Sequence, residues 1–315
     1  MIKILIQTLT VIFQRGLILS LCLILMACGA TDNSAVSSNS SVQQPTESTS
    51  EAIPESTVER VVALSSLTAD LVQELSSTKL VGIPGSQLLS QDPRFQEIET
   101  VSSGRTPPNL EKVVALKPDL VLGAAGFHDQ IGQRLEEIGI TTRLVDVDSW
   151  QSLEDITQDL ATRLNADPKT LSTRYQSCLA KAPASEKSVQ VLVSRHPILS
   201  PNKQSWAGDF LEQFNLNNLA ADLQGNSPIG GYITLSAEKL LESNPDAIFV
   251  IDPTNAGIIE QFEADPFWGK LKATVNQQVY SFDYYGLINP GSIEAIEAAC
   301  DRLNQVLSQT LQVTA

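Results

Sequence analysis

Apolar positions along the chain come in two textures. Short unbroken runs stand at Val61-Val-Ala-Leu64, Leu80–Ile83, Leu120-Val-Leu122, 143–147, 189–193 and 278–282. Their length marks them as strands, and several are apolar throughout, as buried strands are. Between them lie stretches with helical spacing at 68–75, 110–116, 129–138, 209–214 and 292–307. One unit of this pattern is written twice. Asn109-Leu-Glu-Lys112 opens a run ending in Lys117-Pro-Asp-Leu-Val-Leu122, and Ser236-Ala-Glu-Lys239 opens one ending in Asn244-Pro-Asp-Ala-Ile-Phe249. Glu111 and Glu238, and likewise Pro118 and Pro245, stand 127 positions apart. Each copy predicts a helix, a Pro-marked stop and a buried strand. Asn109 and Ser236 are good N-caps, and Glu111 and Glu238 fall in the first turn, where the helix dipole favours an anion.

Strands that alternate with helices predict a mainly parallel sheet covered by helices. The stretches 153–164 and 169–181 form one long helical region interrupted at Asp167-Pro168, where Asp167 caps and Pro168 restarts the helix. The expected fold is α/β: two Rossmann-like lobes with mainly parallel sheets, joined by a long rigid helix, with a ligand cleft between the lobes. The boundaries read as 59–150 for the first lobe, 151–183 for the connecting helix and 184–315 for the second lobe.

The front of the chain reads as an address. Lys3 and Arg15 precede or flank an apolar stretch, 16–27, of 12 residues. A bilayer core needs about 20 helical residues, so this suits a signal-peptide core better than a span. Leu25-Met-Ala-Cys-Gly29 resembles a bacterial lipobox, which implies cleavage after residue 27 and lipid on Cys28. Residues 28–58 are then a tether: 31–57 is rich in Ser, Thr, Gln and Pro and too poor in large apolar groups to offset its chain entropy.

Charge narrows the partners. The formal net charge is −15, and removing 1–27 takes away two cations and no acid, leaving −17. Such a surface argues against nucleic acid, though a locally positive cleft remains open to an anionic small ligand. Cys178 and Cys300 are either a disulfide or two buried thiols; sequence alone leaves both open.

In this order, four segments resemble one family. They are Arg60-Val-Val-Ala-Leu-Ser-Ser66, the two repeat copies, and Asp265-Pro-Phe-Trp268 with Val279-Tyr280. The chain after the tether is similar to the helical-hinge substrate-binding proteins of ABC importers, which serve ferric siderophores, haem and cobalamin. Gly104-Arg-Thr-Pro-Pro-Asn-Leu-Glu111 resembles the ferric-citrate and ferric-hydroxamate branch, with one extra Pro between Arg105 and Asn109. The resemblance implies that Arg105 reaches the chelate and that Phe127 packs on it. It also implies that Glu111 and Glu238, one per lobe, dock on arginines of a two-subunit permease. A guanidinium offers a fork of donors that keeps its charge, each charge-assisted bond contributing about 1.5–3 kcal/mol.

Other candidates come from position at strand ends, where open α/β sheets bind ligands. Ser65 and Ser66 follow the first strand; Phe127 and His128 follow 120–122; Arg195 and His196 follow 189–193. Trp206, Tyr232, Tyr284 and Tyr285 stand in the corresponding loops of the second lobe. The expected partners are a ferric siderophore or similar chelate, an ABC permease dimer and the extracytoplasmic face of the membrane. No cofactor is expected, because the chelator already saturates the iron. Cobalamin or haem is the alternative cargo. An enzyme, such as a hydrolase of unknown type, is the distant alternative: only two histidines exist, with no Gly-x-Ser-x-Gly elbow or phosphate loop. Two histidines also disfavour a free-metal binder.

Overall fold

The structure, a computed structural model, describes residues 58–103, 106–180, 187–225, 227, 229–252 and 257–312. The expected signal segment, Cys28, nearly all of the tether, and Arg105 lie outside the described residues.

The first lobe runs β1 (Val61–Ala63), α1 (Ser66–Ser76), β2 (Leu80–Ile83), α2 (Gln87–Ser90), β3 (Glu99–Thr100), α3 (Leu110–Ala115), β4 (Leu120–Ala124), α4 (Asp129–Glu137) and β5 (Thr142–Val145). Its sheet is parallel throughout, in the order β3-β2-β1-β4-β5. Two helices follow, α5 (Trp150–Leu164) and α6 (Lys169–Leu179).

The second lobe begins with β6 (Ser188–Leu192), β7 (Ser194–Arg195), β8 (Ile198–Pro201), α7 (Trp206–Gln213), β9 (Asn217–Asn218), β10 (Tyr232–Leu235) and α8 (Ala237–Ser243). It continues through β11 (Ala247–Ile251), α9 (Ile258–Glu263), α10 (Lys272–Val275), β12 (Val279–Phe282), the single turn α11 (Tyr284–Leu287) and α12 (Ile293–Gln312). Its parallel sheet has the order β12-β11-β6-β9, and β10-β8-β7 form a small antiparallel sheet beside it. The two-lobe, mainly parallel α/β architecture is the one the sequence predicts. β1 and β11 are buried at every position, as strands covered on both faces are.

The repeat has a structural purpose. In the first lobe Asp119 donates its N–H to the Arg60 carbonyl (2.8 Å), and its carboxylate accepts from the Arg60 N–H (2.9 Å). In the second, Asp246 does the same with Ser188 (3.0 Å in each direction). Each Pro-Asp pair thus pins the start of one strand to its parallel neighbour and sets the register. Burial pushes the Asp246 carboxyl up, but Lys272 and Ser188 outweigh it and hold the pKa at about 2.

The connection between lobes departs from one long helix. α5 stops at Asn165, which adopts the left-handed conformation (φ 50°, ψ 49°) and donates back to the Ala161 and Thr162 carbonyls. Asp167 then accepts from the Lys169 N–H (2.9 Å) as α6 begins after Pro168. The left-handed C-cap turns the chain before the proline can restart it. One apolar cluster continues through both lobes, taking Val61 and Leu71 from the first, Leu153 and Tyr175 from α5 and α6, and Phe249 and Leu303 from the second.

Polar bonds brace the same side. Asp70 of α1 is fully buried; it accepts from the Ile293 N–H at the start of α12 (2.7 Å) and from Arg94 (2.9 Å). Burial raises its pKa above the usual carboxylate range despite those donors. Arg94 also reaches Glu74 (2.6 Å), and Arg174 of α6 grips Glu297 of α12 with two bonds of 2.7 Å. Cys178 and Cys300 are joined as a disulfide, with Cα atoms 5.6 Å apart, which ties α6 to α12.

Candidate functional site

The carboxyl ends of the parallel strands bring part of the expected set together. After β1, Ser65 caps α1, its Oγ accepting from the Thr68 N–H (3.3 Å), while Ser66 donates to Ser86 Oγ (2.9 Å) in the loop after β2. Beside Ser86 lies a cavity of about 430 Å3 whose lining, which includes Gln87, Leu89, Phe95 and Thr100, carries no charged side chain.

From the second lobe, β12 delivers Tyr284 and Tyr285, whose rings meet edge to face at 5.3 Å. Tyr285 is 40% exposed. Tyr232 stands at the start of β10; burial first, then the neighbouring Tyr284, raises its pKa. The lobes meet at Gly291 (φ 60°): a Cβ there would stand 2.6 Å from the Tyr285 ring and 3.1 Å from Leu88 of α2. Ser66, Ser86, Leu88, Tyr232, Tyr284 and Tyr285 therefore form one linked set, hydroxyl-rich and aromatic.

The other candidates stand elsewhere. Phe127 is 88% exposed on the turn after β4. His128 next to it accepts the Ala124 N–H at Nδ1 (2.9 Å), and burial lowers its pKa. It is thus a neutral imidazole with its proton on Nε2 at pH 7. Arg195, on β7, is taken up by Asp265 through two bonds (2.9 and 2.7 Å), which raises the arginine pKa and lowers that of the carboxyl. His196 is exposed beside it.

Trp206 is only 4% exposed, in a cluster of three mutually stacked rings with Trp150 and Phe210, with Nε1 donating to the Gly286 carbonyl (2.7 Å). It stands behind the tyrosine turn and within the core. Glu111 and Glu238 are exposed in the first turns of α3 and α8, capped alike by Asn109 (3.0 Å to the Lys112 N–H) and Ser236 (3.2 Å to the Lys239 N–H). Hydrogen bonds from its own N–H and from Ser236 lower the Glu238 pKa.

Ser86 and Leu88 went unrecognised in the sequence, although Pro84-Gly85-Ser86 after the strand 80–83 is the same strand-end signal that marks Ser65. Among the described residues, no group of three or more His, Cys, Asp or Glu could hold a metal ion, and no helix is long and apolar enough to cross a membrane.

Two lobes of this architecture, each with polar or aromatic groups at strand ends, are the plan of a bilobal binding protein. The chain belongs to the periplasmic binding protein family, whose model matches residues 61–285. It is 29% identical over 221 residues to YvrC of Bacillus subtilis, an uncharacterised ABC transporter substrate-binding lipoprotein, covering 65% of this chain and 66% of YvrC. It is 26% identical over 286 residues to the Fe(3+)-citrate-binding protein YfmC of the same organism (85% and 88% covered). It is also 29% identical over 256 residues to the vitamin B12-binding protein of Salmonella paratyphi A (78% and 91% covered).

Proposed function

We propose that this chain is the substrate-binding lipoprotein of an ABC importer, capturing a ferric siderophore or a ferric citrate-type chelate and delivering it to a membrane permease. The observation that supports this reading is that Gly291 brings Leu88, on the helix that follows Ser86 in one lobe, beside the Tyr285–Tyr284 pair of the other, with Ser66 bonded to Ser86. Phenol rings cover the faces of a rigid chelate with few rotamers to freeze, and hydroxyls donate to its oxygens. Arg105 adds the charged anchor, and Phe127 and His128, on the turn after β4, offer an exposed ring and an imidazole from the first lobe. The chelator fills the iron's coordination sphere, so the protein acts as a binder and not as a catalyst. Similarity to a ferric-citrate binder supports the assignment.

In this reading Cys28 carries the lipid that holds the protein on the extracytoplasmic face of the membrane, and residues 28–58 let the lobes reach the permease. Glu111 and Glu238 dock on it, one from each lobe. A second reading, cobalamin or haem in the same cleft, is favoured by the uncharged lining of the cavity beside Ser86 and by similarity to a vitamin B12 binder. Calorimetric titration with ferric citrate, a ferric hydroxamate, haem and cobalamin separates the two: the ferric chelates should bind, and the porphyrin and corrin should bind weakly or not at all.

A further inference from the structure

Behind the Tyr284–Tyr285 turn stands the buried indole of Trp206. The turn bonds to itself, with Gly286 N–H donating to the Asn289 carbonyl (2.7 Å) and Ile288 N–H to that of Tyr284 (3.0 Å). Its backbone lies flat on α12: Gly286 has φ +91°, and a Cβ there would fall 2.0 Å from the Ala295 carbonyl oxygen. The outward carbonyl of Gly286, one peptide beyond Tyr285, takes the indole N–H of Trp206 at 2.7 Å. That bond is buried, where an unmade partner is costly.

Trp206 is itself fixed to the connection between lobes. Its ring stacks on Trp150, the first residue of α5, at 5.9 Å and 16° between planes. One helical turn on, Asp209 accepts the Trp150 N–H at 2.6 Å, placing a carboxylate at the α5 N-terminus where the dipole favours it. Trp150 offers a natural comparison, because its own Nε1 is buried with no hydrogen-bond partner among the described residues.

We propose that Trp206 is a positioning residue for the cleft, fixing the aromatic turn of the second lobe and linking it to helix α5. The inference rests on reading that turn as a ligand wall, which deepens the proposed function without depending on which chelate is bound. The ring need not touch the ligand: it sets where Tyr285 stands, and a displacement of α5 on lobe closure reaches the tyrosines through it.

The test compares Trp206→Phe with Trp150→Phe in the full-length chain. Both remove an indole from one stack, and only the first removes a donor to the turn. Hydrogen exchange of the peptide covering 284–291 in the ligand-free protein should accelerate about ten-fold in Trp206→Phe, the equilibrium factor of one buried hydrogen bond. In Trp150→Phe it should stay within about two-fold of the parent. Benzothienylalanine at position 206 keeps the ring's size and lacks the N–H; it should reproduce the acceleration even if the phenylalanine variant folds poorly. Whichever of ferric citrate, ferric hydroxamate, haem or cobalamin the parent binds should bind about ten-fold more weakly to the variants lacking the N–H. Equal exchange at the turn in the Trp206 and Trp150 variants overturns the positioning role. A parent that binds none of the four probes sinks the proposed function instead, and the exchange pattern still decides the role of Trp206.

Discussion

Opening the Cys178–Cys300 bond should cost the protein much of its stability and leave its cleft intact. The bond closes a loop of 122 residues in sequence. Chain-entropy scaling gives about 16 cal/mol/K for a loop of that length, or about 4.9 kcal/mol at 25 °C, and native disulfides deliver about 2–5 kcal/mol. In a domain of this size each kcal/mol moves the melting temperature by about 2–4 °C. Reduction should therefore lower it by about 4–20 °C. The linked helices α6 and α12 pack in the apolar cluster shared by both lobes, where Arg174 and Glu297 hold them as well, so the native arrangement survives. The assay is scanning calorimetry of oxidised protein, reduced protein and the Cys178→Ala/Cys300→Ala variant, with thiol labelling to confirm that both cysteines are free. The reduced form should keep its circular dichroism at 25 °C and its chelate affinity within about two-fold. Melting within 2 °C of the oxidised form, with both thiols labelled, would refute the argument that this cross-link constrains the unfolded chain.

Further outcomes follow from individual residues. His128 binds its proton less readily folded than unfolded, so its contribution is complete above about pH 6.5 and is lost as pH falls through its lower folded value. Denaturant titrations at pH 7.5 and pH 5 should therefore show a larger loss for the parent than for His128→Asn, whose amide oxygen can still accept from Ala124. Cys28→Ser should release the protein from membranes without detergent while solution affinity stays the same, as fractionation and titration would show. Replacing Glu111 and Glu238 together by Lys should abolish uptake of labelled chelate in cells without weakening binding in solution; uptake at the parental rate would reduce both residues to helix-cap charges.

Much of the scaffold was legible because its signals are local. Val61–Ala63 and Ala247–Ile251 are unbroken apolar strands, and Asn109 and Ser236 cap helices that the twin units repeat. The small strands were not legible: β9 is two asparagines, and β7 is a polar pair too short for any periodicity. The site was half legible for a related reason. Strand ends mark the loops that carry Ser66 and the tyrosines, so these positions could be singled out as candidates. What each side chain bonds to depends on partners far along the chain. Arg195 is taken up by Asp265, 70 residues away, and Trp206 by Gly286, 80 residues away. Leu88 stands beside Gly291, and Asp70 bonds Ile293 223 residues away. The interruption of the connecting helix was legible at Asp167-Pro168, whereas the left-handed turn at Asn165 that ends α5 just before it has no periodic signature.

On the proposed reading the cleft takes a ferric chelate. Fluorescence titration of the full-length chain tests it most directly, because Trp206 sits directly behind the tyrosine turn and its emission should respond to a ligand there. Ferric citrate and a ferric hydroxamate should be titrated beside haem and cobalamin in the same buffer. Saturable binding of a ferric chelate, at least ~10-fold tighter than haem or cobalamin (about 1.4 kcal/mol), is the expected result. Saturation by cobalamin or haem alone would contradict it.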